Sequence, residues 1–129
     1  RQQNKKTSNM TNNESIITKA YDLLRYSIPL LNRFPRDFKF TLGDRIQRML
    51  ADLLELLIEA YYQPPHQKRK TLQRVNILLE KLRHFFRLGY DLGLYTSLHY
   101  QDYAERLNEI GRMVGGWLKS LDRPKQGGD

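Results

Sequence analysis

From Tyr100 to Leu121 an apolar side chain returns every third or fourth residue without a break: Tyr100, Tyr103, Leu107, Ile110, Val114, Trp117 and Leu121. That rhythm suits a helix burying one stripe, since a half-buried strand would alternate with a period of two. The preceding segment carries the same rhythm in Leu72, Val75, Leu79, Leu82, Phe86 and Gly89, with Leu78, Phe85 and Leu92 on an adjacent line. Two adjacent lines make a broad buried face. The spacing predicts one helix over about residues 65–92 and another from Thr96 or Ser97, either of which can cap it, to about residue 121. Gly93 is the expected C-cap between them.

Two earlier segments read the same way. Over about residues 14–33, Ile17, Ala20, Leu24, Ile28 and Leu31 fall on one face. Pro29 lies inside that pattern and should kink or loosen the last turn, because it lacks a backbone donor. Phe34-Pro35-Arg36 marks the break. Over about residues 42–62, Thr41 is a candidate N-cap, with Asp44 in a capping-box position. The polar positions of this segment form one narrow stripe: Arg48, Asp52, Glu55 and Glu59. A helix with so little polar surface is covered on most sides, which predicts contacts beyond its own bundle. Pro64-Pro65 ends the segment and can open the next helix, since proline is tolerated in a first turn.

Four comparable helices, short loops and no convincing strand predict an all-α chain, an up-down-up-down four-helix bundle over residues 14–121. The 129 residues suit one domain. Residues 1–13 and 122–129 are polar and read as disordered tails. The polar start carries no signal-peptide pattern. No apolar run reaches the roughly 18 residues that cross a bilayer. The chain has no cysteine, which removes disulfides and thiolate chemistry and fits a reducing cytoplasm. In the last helix Ala104, Gly111 and Gly115 make a line of small residues. Glycine inside a helix costs on the order of 1 kcal/mol against alanine, and close approach of another backbone, within the bundle or from another subunit, would offset it.

The residues that could carry chemistry are poorly placed for it. His66 stands beside Pro65 in a basic cluster, and His99 lies in a first turn. His84 follows Glu80 by four, a spacing that reads as a surface ion pair. A di-iron bundle needs Glu-x-x-His on two helices, and that motif is not here. No arginine precedes a histidine at the four-to-six spacing of helical ribonucleases. Gly115-Gly116 is not followed by the Lys-Ser or Lys-Thr of a phosphate loop. The expectation is a binding protein, not an enzyme, with no cofactor and no metal.

The basic residues are better organised. Net charge is +8, which favours polyanionic partners such as RNA, DNA or an acidic protein face. Between Gln67 and Tyr90, Lys68, Arg69, Lys70, Arg74, Lys81, Arg83 and Arg87 stand against Glu80 alone. A second group is Arg33, Arg36, Lys39, Arg45 and Arg48. Arg83 and Arg87 are four apart, share a face and repel, so a phosphate or a partner's carboxylate should offset the cost. Phe38 and Phe40 sit in a loop amid Arg36 and Lys39. They could stack on bases or plug the bundle end, and the plug is the preferred reading.

Three stretches carry a family resemblance. They are Phe34-Pro35-Arg36 with Phe38-Lys39-Phe40-Thr41-Leu42-Gly43-Asp44-Arg45-Ile46, then Leu53-Leu54-Glu55-Leu56-Leu57-Ile58-Glu59-Ala60, and finally Leu107-Asn108-Glu109-Ile110-Gly111-Arg112-Met113 with Gly115-Gly116-Trp117. Leu79-Glu80-Lys81-Leu82-Arg83 continues it between them. Over roughly residues 16–121 the chain resembles the accessory variability determinant (Avd) proteins of diversity-generating retroelements. The resemblance implies four-helix protomers assembled as a pentameric barrel. It also implies a non-enzymatic partner that binds the element's reverse transcriptase and nucleic acid and is required for mutagenic retrohoming. The basic clusters supply the candidate residues for binding nucleic acid or the reverse transcriptase: Arg36, Lys39, Arg45, Arg48, Lys68, Arg69, Lys70, Arg74, Lys81, Arg83 and Arg87. The alternative is an RNA-binding four-helix bundle of the ribosomal RNA intervening-sequence type, without a polymerase partner.

Overall fold

Apolar stripes at helical spacing become four long helices and one short connection. The computed structural model describes residues 5–122, with side chains from residue 13 onward. Its elements are α1 (Lys5–Asn32), the single turn α2 (Arg36–Phe38), a π-helical turn (Lys39–Gly43), α3 (Asp44–Tyr62), α4 (Pro65–Asp91) and α5 (Ser97–Asp122). No strand occurs among the described residues. Residues 1–4 and 123–129, both inside the stretches read as tails, lie outside the description.

Helix α1 starts at Lys5, well before the expected boundary at residue 14 and inside the stretch read as a tail. Once Ile16, Ala20 and Leu23 anchor the helix, each further residue adds a hydrogen bond without a new nucleus, so polar residues can extend it. Its buried stripe is Ile16, Ala20, Leu23, Ser27 and Leu31, continued by Phe34. The expected Ile17, Leu24 and Ile28 are only half-buried, so the stripe is turned by one residue. Ser27 explains the difference. Its hydroxyl donates to the Leu23 carbonyl at 2.7 Å and can therefore be buried cheaply. Pro29 is exposed and the helix continues past it to Asn32. It ends in tight i→i−3 bonds, Arg33 N–H to Leu30 and Phe34 N–H to Leu31.

The helices pack in the cyclic order α1, α3, α4, α5 and back to α1. Neighbours run antiparallel. Tyr61 at the end of α3 donates to Glu14 near the start of α1, and Tyr26 late in α1 meets the His99 ring early in α5. Arg69 early in α4 pairs with Asp122 at the end of α5. The four-helix bundle and its up-down-up-down order are as the sequence predicts. The core is one cluster; the first expected line of α4, Leu72 to Gly89, is buried throughout, as are Tyr103, Leu107, Ile110, Val114 and Trp117 of α5, but the second line is not, since Leu78 and Phe85 are half-buried and Leu92 is exposed. Each fully buried leucine is worth about 1.5–3 kcal/mol of transfer free energy.

The connections follow turn chemistry. Pro64 is the N-cap of α4 and Pro65 its first residue. At the other end Gly93 has φ +74°. Gly93 N–H bonds to Tyr90 and Leu94 N–H to Gly89, both at 2.9 Å, which is a Schellman cap. Thr96 accepts from the His99 N–H at 3.2 Å and caps α5. Thr41 does not cap α3. It lies inside the π-helical turn, where its hydroxyl donates to the Asp37 carbonyl at 3.2 Å.

One end of the bundle is aromatic. Phe86 stacks on Tyr103 with centroids 3.9 Å apart, and Tyr26 and Tyr95 pack on the same Tyr103 ring. Tyr95 lies across Gly89 and donates its hydroxyl to the Phe86 carbonyl. Phe34 closes on Tyr95 at 6.0 Å.

Candidate nucleic-acid interface

The π-helical turn decides where the first basic group points. Counting back seven residues from buried Ile46, an unbroken α-helix would aim Lys39 at the core. The wider turn adds one residue to the register, so Phe38 packs against the core in its place. Asp44 N–H accordingly reaches the Lys39 carbonyl, five residues back. Gly43 is buried where the turn packs on the end of α1, and a Cβ there would make ordinary contact with the Phe34 ring at 3.4 Å. Phe38 thus plugs the bundle end as expected, but Phe40 does not, being 63% exposed. Neither is in a loop, since both are helical.

Arg33, Arg36, Lys39, Arg45 and Arg48 gather at this corner, where α1 ends and α3 begins. Among the described residues no carboxylate comes within 4.0 Å of any of them. Lys39 Nζ lies 5.5 Å from the Phe40 ring centroid. The Arg45 guanidinium lies 6.0 Å from the centroid of Phe85 on α4. Asp37 and Asp44 are the acids of the same stretch, so five cations stand against two anions.

The α4 group is divided. Lys68 sits over Trp117 at 5.5 Å. Arg69 is tied to the Asp122 carboxylate and to the Leu121 carbonyl at 3.1 Å, closing the carboxyl end of α5. A cation there also meets the negative end of the helix dipole. Lys70 is exposed, with no carboxylate in reach among the described residues. Arg74 and Lys81 line an open groove of about 510 Å³ against Asp52, Glu55 and Glu59 of α3. Beyond Arg48, the polar stripe of α3 is therefore an acidic face, Asp52, Glu55 and Glu59, opposite a basic one. Lys68–Lys70 lie roughly 27 Å along α4 from Arg87, at 1.5 Å per residue. The eleven expected site residues do not form one continuous patch.

Arg83 and Arg87 share a face, but their repulsion is offset inside the helix. Arg83 pairs with Glu80 and Arg87 with Asp91 at 3.6 Å. Glu80 therefore serves Arg83 and not His84, whose Nδ1 lies 2.9 Å from the Glu80 carbonyl oxygen. Arg83 also reaches Asn108 at 3.5 Å and lies over Gly111, where a Cβ would come 3.1 Å from its Nη2. The close approach at Gly111 is thus a side chain, not a backbone. Nothing lies within 4 Å of a Cβ at Gly115.

Arg112 lines a groove of about 430 Å³ with Asn76, Arg83 and Asn108, and sequence reasoning did not single it out. Its signals were its place beside Gly111 and its membership of the Leu107–Met113 stretch that carries the resemblance. Arg106 is occupied, bonded to Asp102 at 3.0 Å and stacked 4.4 Å over Tyr26. Among the described residues no three histidines or carboxylates converge as metal ligands, and no helix is long and apolar enough to cross a membrane.

A family model described as bAvd-like matches residues 15–121. The chain belongs to the bAvd-like family. No curated protein matches it. The bAvd-like match spans all of the bundle from Ser15 and takes in the π-helical turn, the basic corner and the Asn108–Arg112 segment. Two of the stretches that carry the resemblance thus have a structural reason. The first seats Phe38 and turns Phe40 outward, and the last makes room for Arg83.

Proposed function

We propose that this bAvd-like chain is a non-enzymatic accessory protein of a diversity-generating retroelement. It binds the element's reverse transcriptase and nucleic acid through basic surface, assembles as a homo-oligomer, a pentamer by resemblance, and supports mutagenic retrohoming. The observation that carries this reading is the corner of Arg33, Arg36, Lys39, Arg45 and Arg48. Five cations gathered with no carboxylate within 4.0 Å among the described residues repel one another, and a polyanion or an acidic protein face relieves that cost.

Replacing Arg36, Arg45 and Arg48 together with alanine should weaken both RNA retention and pull-down of the reverse transcriptase, by about 1.5–3 kcal/mol for each charge-assisted bond lost. Helix content should not change, since all three side chains are exposed. Retention on RNA should fall steeply as salt rises, because phosphate contacts release counterions. Unchanged retention across low and moderate salt, together with full activity of the triple variant in retrohoming, would defeat the proposal. The double replacement of Arg83 and Arg87 should have the smaller effect, since each already has a carboxylate on its own helix.

A further inference from the structure

Phe40 is a large apolar ring held in solvent. The bundle end is already closed by Phe38, and the π-helical turn that brings Phe38 inward is what leaves Phe40 outward. Among the described residues, the only ring or cation against it is its neighbour Lys39, 5.5 Å from the centroid. With 63% of the residue exposed, the ring keeps an open face. Arg36 lies one helical turn earlier on the same side, and Arg33 and Arg45 flank the turn, none with a carboxylate within 4.0 Å among the described residues.

We propose that Phe40 is a stacking platform for an unpaired nucleobase, so that this corner takes single-stranded nucleic acid in preference to duplex. The inference rests on the nucleic-acid binding proposed above and specifies its substrate. A single strand offers phosphates to the arginines and a free base face to the ring at the same time. A duplex hides its base faces within its own stack and leaves only the electrostatic contacts. Phenylalanine has no hydrogen-bonding group, so the platform accepts any base. The excess of cations over Asp37 and Asp44 favours a polyanion over an apolar protein surface as the occupant.

The test uses single strands of about 12 nucleotides carrying 2-aminopurine, as RNA and as DNA, beside duplexes of equal length. The wild-type chain should quench the 2-aminopurine emission on binding. Phe40→Ala and Phe40→Leu should each weaken single-strand binding at least about fivefold and abolish the quenching, while Phe40→Trp keeps both. Duplex affinity should be unchanged in all three variants. Leucine separates stacking from mere apolar contact. Loss with both RNA and DNA marks base stacking alone, and loss with RNA only adds a sugar contact to the same platform. The proposal is overturned if the alanine and leucine variants bind single strands like the wild type. It is equally overturned if they lose only subunit assembly or reverse transcriptase pull-down, which would make the ring a protein contact. A wild-type chain that retains neither single strand nor duplex would overturn the nucleic-acid reading itself, and this inference with it.

Discussion

Tyr95 and Tyr103 show how much a single hydroxyl can ask of its surroundings. Burial pushes the Tyr103 phenol up to about 12, and the same cause pushes Tyr95 far above its ordinary value, with Tyr103 and Tyr100 adding to it. Tyr95 has a partner in the Phe86 carbonyl. The Tyr103 hydroxyl lies beside Ser27, whose own proton goes to Leu23, and has no partner at hydrogen-bond geometry among the described residues. Removing an unpaired hydroxyl loses no bond, so Tyr103→Phe should leave the melting temperature unchanged or raise it, whereas Tyr95→Phe should lower it by the equivalent of about 1 kcal/mol. The alkaline limb follows from the same two residues. Below pH 10 both states hold their phenolic protons and the stability is complete. Between about 10 and 12 the unfolded chain releases protons that the folded chain keeps, so stability falls as pH rises. Thermal melts followed by circular dichroism should show that decline, and the double phenylalanine variant should flatten it. The sequence placed Tyr103 in the core by its heptad position, but the burial of Ser27 was not readable, because a hydroxyl residue interrupts the apolar pattern that periodicity follows.

Among the helices, glycine and the π-helical turn set what the elements can do. Gly89 is occupied space: an added Cβ would lie 2.7 Å from the Tyr95 hydroxyl and 3.0 Å from its ring carbons. Gly89→Ala should therefore cost about 1–3 kcal/mol by overpacking, despite alanine's better helix propensity. Gly115 and Gly116 face open space, and alanine at each should stabilise the protomer by about 0.8–1 kcal/mol. Chemical denaturation resolves both signs. If Gly115 is where another subunit approaches, Gly115→Ala will raise protomer stability and lower the assembled mass together. Periodicity revealed the glycine line and the stripe of α4 because both are properties of one helix. It did not reveal that Arg83 covers Gly111, that Thr41 is not a cap, or that α2 joins a π-helical turn, because those depend on which helix lies alongside.

At the scale of the molecule, the protomer leaves apolar surface uncovered on α3 and beside it. Tyr62 is 79% exposed, Ile77 of α4 59%, and Ile58 is exposed as well. Ile77 lines the groove where Asp52, Glu55 and Glu59 face Arg74 and Lys81. Scattered apolar residues are ordinary, but apolar residues rimmed by opposed charges suit a contact between proteins. Light scattering at micromolar concentration should give a mass several times the 15.4 kDa of the chain; a monomer alone would contradict assembly. The narrow polar stripe of α3 is the feature of the sequence that calls for extra cover, which the mass measurement tests, while the number of subunits belongs to no periodicity. The ring of helices also carries an order in time. Gln63 and Pro64 alone separate α3 from α4, so the most extensive pairing in the bundle joins segments adjacent in the chain. The α1–α5 seam is the thinnest and closes a loop of about half the chain. Loop closure must be met before such a contact rewards it. The α3–α4 hairpin is thus the natural nucleus, and the α1–α5 seam is the last to zip shut and the first to breathe.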